Sequence, residues 1–544
     1  MKRGFHFFLL SCFCVGLLGG FSSDLELNGD LAAQQFFQTN FQNRRGLAYR
    51  WTPAGEGTYR LHYGSGFSPA ETVLGQVPLL CIVNFWNPVA AVGRATLEAV
   101  LRGELTNWSA LGGEDRPIEV LAYNRPDLPR LPGTDRPGLR QVRTQEAMVA
   151  AVRANPNAIG IITWPLVNPA VKVLTIDGVN PAWTLEPLTP ASYPYWTELT
   201  LTEPNLSPGR NWLYGGWWRR WRFRRALTAS FAPTKSLGGQ SAFTLAAAGD
   251  MMFSRGVAAT SISQGDYRYP FLKVAPILRR ATLAMANLEG PLSDRGKQLN
   301  MFRGDPRFLE GIQYAGIDLV SLANNHIMDY GTVAFLDTME RLTAAGVMYV
   351  GAGTNLTKAR QGRLLNLGGV KVGFLAYTEL GPGFTYTRAP QHWAATPELP
   401  GVTPARPDYL SEDIARLKTQ ADLVVVSIHW GQEYAHYPTA KQQYLGKIAL
   451  AAGADLVLGH HPHVIQGLAV TEEGIIAYSL GNFIFDQKPD ATRQGLLLEA
   501  AGDRLGIRQL RCTPLVIASE QPQVAEGDTA RRIMKLLYTV SQGL

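Results

Sequence analysis

The chain reads as an α/β protein of more than one domain. Three observations predict this. Its 544 residues exceed what one hydrophobic core usually organises. Short apolar runs alternate with helix-period patterns along most of its length. In the second half, apolar runs end again and again in Asp, Asn, Glu or His. Hydrophobic residues make up 46% and charged residues 17%, a balance that excludes wholesale disorder. Lys and Arg outnumber Asp and Glu by 51 to 44, and a net charge of +7 over this length is too diffuse to imply nucleic-acid binding.

Lys2 and Arg3 precede an apolar run over residues 5–21, followed by Ser22, Ser23 and Asp24. Residues 1–23 are therefore expected to be a signal peptide or a membrane anchor. Either makes the protein exported, periplasmic or anchored facing outside the cytoplasm. Cys12 and Cys14 fall inside this leader, while Cys81 and Cys512 are far apart among apolar neighbours, so neither a disulfide scaffold nor a zinc site is expected.

Residues 24–206 alternate strand and helix patterns: an apolar strand over 77–83, a helix over 97–101, strands over 118–123 and 158–163, and a helix over 147–153 between them. The turn Leu105-Thr106-Asn107-Trp108 and the strand opening Ala158-Ile159-Gly160 resemble, in order, the G-x-L-x-x-W turn and A-I-G strand of the periplasmic phosphate-binding proteins of ABC importers. Tyr193-Pro194 resembles a segment near the end of that domain. The resemblance implies a phosphate-binding-protein-like α/β domain. Such loops surround an anion with backbone N–H groups and hydroxyls, and Arg125, Asp127 and Thr134 are the candidate remnants here.

Residues 207–242 form a linker in which Trp212, Trp217, Trp218 and Trp221 interleave with Arg210, Arg219, Arg220, Arg222, Arg224 and Arg225. Tyr214, Trp217, Trp218 and Trp221 share one helical face. That pattern suits an aromatic stripe packed between two domains or a membrane surface, where indoles sit at headgroup depth. Nucleic acid is not expected as a partner of an exported protein.

From residue 243 onward one grammar repeats. The apolar run 243–248 ends in Gly249-Asp250, the run 283–286 in Asn287-Leu288-Glu289, and the run 319–323 in Asn324-Asn325-His326. Residues 423–428 end in His429-Trp430-Gly431, and 456–458 in Gly459-His460-His461-Pro462-His463. Helical patterns over 333–345, 412–418 and 442–452 supply the crossovers. Strands of such a sheet deliver their carboxyl-end residues to one rim, so these side chains can surround a common crevice. Carboxylates, an amide oxygen and imidazoles together suit Mn, Fe or Zn better than Ca or Mg. Each residue alone is ambiguous, but six of the nine histidines fall in or beside these motifs, which random scatter would not produce.

The motifs from Gly249-Asp250-Met251 through Ala286-Asn287-Leu288-Glu289, Asn324-Asn325-His326, His429-Trp430-Gly431 and His461-Pro462-His463 to Tyr478-Ser479-Leu480-Gly481-Asn482 resemble the CapA family of poly-γ-glutamate capsule-synthesis proteins, a branch of the calcineurin-like metallophosphoesterases. The resemblance implies a four-layer αββα sandwich over 243–520, which leaves 521–544 as a helical tail. It also implies roles. Asp250, Glu289, Asn325, His429, His461 and His463 would hold one or two divalent ions, and His326 would be the general acid, with Asp329 as its carboxylate partner. Where the wider superfamily has Asp-x-His, position 252 is Met, so one ligand is missing. Arg255, Glu433 or His436 could compensate as a phosphate clamp or an extra ligand. The expected activity is metal-assisted hydrolysis or transfer at a phosphate-type or amide-type bond in capsule or envelope polymer metabolism, on an anionic polymer or another phosphate-containing substrate. The alternative is a non-catalytic scaffold that holds an anionic polymer for a synthase or export complex.

Overall fold

The computed structural model describes residues 25–28, 49–51, 59–63, 71–125, 128–202, 241–380 and 393–544. The leader, the Trp and Arg cluster of the linker, and Asp127 lie outside the described residues. No described helix is long and apolar enough to cross a membrane. Cys81 and Cys512 are free, and burial pushes both thiols up to about 12, with the Glu499 charge adding to the effect at Cys512.

In the N-terminal region the strand Glu71–Asn84 is the spine of a nine-stranded sheet. Its first half pairs antiparallel with Trp196–Thr202, its second half with Ala158–Thr163 and Val171–Val173. Helices Arg94–Arg102 and Gln145–Ala154 pack against it through Leu97, Val100, Leu101, Met148 and Val152. The second helix starts where Thr144 accepts a bond from the Ala147 N–H, an ordinary N-cap.

The C-terminal region stacks two sheets. One runs in the order Met348–Val350, Leu319–Ser321, Leu283–Leu288, Phe243–Met251, Gln494–Asp503, Gly506–Ala518, Gln521–Val524, with Asn482–Ile484 also beside Phe243–Met251. The other runs Arg363–Leu367, Val370–Thr378, Leu423–His429, Leu456–His460, Ile475–Ala477, Leu468–Val470. Period-two alternation divides the inner strands of the second sheet between two cores. Leu423 and Val425 face the first sheet, in the core that holds Leu245, Met285 and Val320. Val424, Val426 and Ile428 face outward onto helices Pro407–Lys418 and Ala440–Ala451 through Ile414, Leu417, Leu445 and Ala449. Phe308 and Phe335, from helices Phe308–Ala315 and Gly331–Ala344, join the core of the first sheet, so helices flank both sheets. This is the expected α/β sandwich.

The two regions meet along Gly506–Ala518. The Gln509 side chain accepts from the Val173 N–H and donates to the Val171 carbonyl, Arg508 donates to the Val167 carbonyl, and the Trp164 indole N–H reaches Asp503.

Candidate metal centre

Register places the site before any side chain is considered. Asp250 lies directly beside Asn287 on one flank and Asn482 on the other, and His429 lies beside His460 in the second sheet. Parallel pairing keeps these strands in step, so their polar carboxyl ends arrive at one rim between the sheets.

Two groups of ligand-competent side chains form there among the described residues. In one, ligand atoms of Asp250, Glu289 and His429 all lie within 4.8 Å of one another; in the other, so do those of Glu433, His461 and His463. The groups adjoin, since His463 Nε2 is 3.8 Å from Glu289 Oε1 and His463 Nδ1 is 3.6 Å from Asp250 Oδ2. Asn325 Oδ1 stands 2.8 Å from His429 Nε2, close to the ~3 Å at which two ligands of one ion sit when bonds are 2.0–2.2 Å long. Every predicted ligand is therefore in one cluster.

The surrounding bonds aim these groups. His463 Nδ1 is 2.9 Å from Asn482 Oδ1, which leaves Nε2 bare on the side of Glu289. Asp250 accepts from the Asn287 amide at 2.9 Å and from the His461 backbone N–H at 3.1 Å. Burial pushes the Asp250 carboxyl up, but its contact with His460 and the charges of His460, His429 and His463 outweigh this and hold it below the usual range. Burial, then repulsion from Asp250, Glu433 and Asp329, drives Glu289 well above its usual value. Burial likewise depresses His429, His463 and His461, the last to about 3, with neighbouring imidazoles adding to the effect.

The donor set fits a divalent cation. Both carboxylate oxygens of Glu289 and Nδ1 of His461, one residue from each ligand group, are buried without a hydrogen-bond partner. Buried polar atoms are rarely left so, and carboxylate and imidazole lone pairs converging without donors are what a cation satisfies. Four of the seven described non-glycine residues with positive φ, namely Arg255, Tyr434, His461 and His463, also lie here. Each such conformation costs on the order of 1 kcal/mol and persists where packing over-determines it.

His326 Nδ1 is 2.8 Å from Asp329 Oδ2, and its Nε2 faces Glu289 Oε1 at 4.0 Å. Asp329 also accepts from the Phe302 N–H and the Asn300 amide, which fixes it as an acceptor, so His326 Nδ1 donates. Met252 is fully buried, and its sulfur accepts from the N–H and hydroxyl of Ser254.

The family described as bacterial capsule synthesis protein PGA_cap matches residues 244–487, a span that contains both ligand groups. The capsule biosynthesis protein CapA of Bacillus anthracis is 33% identical over 330 residues, covering 58% of this chain and 78% of that protein. The PGA biosynthesis protein CapA of Bacillus subtilis (strain 168) is 32% identical over 294 residues, covering 52% and 74%. The chain belongs to the CapA family of capsule biosynthesis proteins. Among solved structures, a putative phosphate ABC transporter substrate-binding protein from Clostridium perfringens is 14% identical at a TM-score of 0.29, covering 39% of this chain and 99% of that one. That level of likeness assigns no ligand to the N-terminal region.

Within the CapA domain, the three residues offered for the missing ligand part company. Glu433 joins His461 and His463. The Arg255 guanidinium instead pairs with Asp486 and lies over the Phe302 ring. His436 Nδ1 is tied to the Ile465 carbonyl at 2.9 Å. Arg125 is half-buried just past the strand Glu119–Tyr123, and the buried Thr134 hydroxyl donates to the Leu131 carbonyl. Both belong to the N-terminal region and to neither ligand group. Sequence reasoning gave no role to Asn287, His460 or Asn482, which orient Asp250 and His463. All three stand at strand ends inside the motifs already singled out, and that position is the signal that could have found them.

Proposed function

We propose that the CapA domain is a metal-dependent hydrolase or transferase acting at a phosphate-type or amide-type bond in the making of an anionic capsule or envelope polymer of the poly-γ-glutamate type. Glu289 carries the proposal: a fully buried carboxylate with neither oxygen bonded, facing His463 and His326, is a costly arrangement unless a cation is to be held. Asp250, Glu289, Asn325, His429, His461 and His463 would hold one or two ions, with Mn, Fe or Zn matching the mixed oxygen and nitrogen donors. A divalent ion bound there supplies polarisation of a phosphoryl or carbonyl oxygen and acidifies a water molecule.

The chain's own residues do the rest. Asp329 fixes the proton of His326 on Nδ1 and steadies the imidazolium, so a second proton on Nε2 is the one available to a leaving oxygen. The Phe302 ring, 4.2 Å from the His326 ring, limits the tilt of the imidazole. Export, by the leader, would place this chemistry outside the cytoplasm, with a synthase or export complex and an anionic polymer as partners.

Metal analysis of the purified chain, paired with assays of bis(4-nitrophenyl) phosphate and poly-γ-glutamate cleavage by wild type and His326→Ala, tests this. Bound metal with turnover lost in the variant is expected; metal-free protein without turnover on either probe would reject it. One observation favours the scaffold reading: Met252 is a core residue, so the first motif offers one ligand where the wider superfamily has two. In that case metal would be absent and poly-γ-glutamate would bind uncleaved.

A further inference from the structure

We infer that Glu433 takes the place of the ligand lost at Met252, completing a second cation site with His461 and His463 at the solvent-facing mouth of the first. The inference rests on the metal-centre reading above and adds to it which residue completes the set and where.

The loop that carries Glu433 is built onto the segment that carries the two histidines. The Tyr434 N–H donates to the Pro462 carbonyl at 2.8 Å, between His461 and His463. His436 is held by the Ile465 carbonyl at 2.9 Å. The buried Gln466 amide donates to the Ala435 carbonyl at 2.7 Å and the Tyr437 carbonyl at 3.3 Å, and its oxygen accepts from Gln442 at 2.8 Å. The Gln487 amide reaches the Tyr434 hydroxyl at 3.2 Å. Tyr434 adopts φ 65° under these restraints, so the preceding residue is delivered to the histidines by fixed backbone and not by chance. His436 thereby serves as an anchor of the loop, and the positively charged Arg255 is chemically excluded as a ligand.

Burial distinguishes the two sites. Asp250, Glu289 and His429 are all buried, whereas Glu433 is exposed beside buried His461 and His463. A cation bound by Glu433 therefore keeps a face open to water and to an incoming anionic substrate, and it exchanges more readily than its neighbour.

The test is titration of the full, chelator-stripped chain with MnCl2 by calorimetry, with electron paramagnetic resonance reporting whether two ions are magnetically coupled. Wild type is expected to bind two ions with separate affinities and to show coupling. Glu433→Gln, an exposed and isosteric change, should keep the tighter ion, lose the coupling and weaken the second ion by at least about 100-fold, the upper end of what outer-shell losses cost. His436→Ala should retain two ions. Two coupled ions of unchanged affinity in Glu433→Gln would overturn the inference. So would one ion in wild type that Asp250→Asn abolishes, an outcome that leaves the metal-centre reading standing. Binding of no ion by wild type would overturn both.

Discussion

Asp250 and His460 close the two sheets at one rim: Oδ1 of the first lies 3.2 Å from Nδ1 of the second, both fully buried, although the residues belong to strands of different sheets. Each is also tied into its own sheet by register, Asp250 to Asn287 and His460 to His429. Asp250 thus braces the two sheets in addition to its proposed role as a ligand. Asp250→Asn is expected to abolish metal uptake and to cost about 1–3 kcal/mol in the metal-free protein, the scale of leaving a buried hydrogen-bonding group unsatisfied. Denaturant unfolding in the presence of a chelator reads the second effect free of the first.

Glu289 works in the opposite sense. Its folded-state pKa is raised, so it stays protonated in the fold after the unfolded chain has released its proton, and stability falls as pH rises above the ordinary value of 4.5. Glu289→Gln should therefore stabilise the metal-free protein at pH ~7.5, because the amide has no proton to lose as pH rises. The gain should vanish near pH ~4, where both states of the wild type are protonated. The same variant should lose the rise in Tm that MnCl2 produces in wild type, and thermal melts across pH with and without the ion check both signs.

The histidines set the acid limit. His461 falls from its ordinary 6.5 to about 3 in the fold, so below 6.5 the unfolded chain takes a proton that the folded chain refuses. The stability this residue contributes is full above that pH and is lost as pH drops toward the folded value. At pH ~5.5 the loss is about 1.4 kcal/mol for this residue alone, with His429 and His463 shifted in the same direction. Metal-free wild type should lose stability over that range more steeply than His461→Gln.

Under the proposed chemistry, His326→Ala should lower turnover by about 10²–10⁴-fold, the usual worth of a positioned proton donor. Asp329→Asn should lower it as well and move the alkaline limb of the pH–rate profile to lower pH, because the amide can no longer steady the imidazolium that gives up the proton. Bound metal, measured on the same samples, should be unchanged in His326→Ala.

Backbone approach gives a prediction independent of chemistry. A Cβ on Gly249 would lie 1.9 Å from the Gly481 carbonyl oxygen, where only backbone is available to move. Gly249→Ala should therefore push apart the strands that carry Asp250 and Asn482, at a cost of about 3 kcal/mol and with loss of metal binding. Calorimetric unfolding and metal content report the two consequences.

The repeated pairing of an apolar run with a polar terminus announced an α/β architecture, located most strands and helices, and brought Asp250, Glu289, Asn325, His326, His429, His461 and His463 into view, while their roles, and Asp329 as the partner of His326, came from the resemblance to the CapA family. Period-two and helical patterns are local properties, and a polar residue placed after a buried strand carries its own warning. Which of Arg255, Glu433 and His436 meets the histidines was decided by tertiary structure alone. The choice depends on a loop pinned by Gln466 and Pro462, contacts with no trace in spacing or residue type. The bracing roles of Asn287, His460 and Asn482 arose the same way, since a side chain becomes a ligand's support only when sheet register sets it alongside.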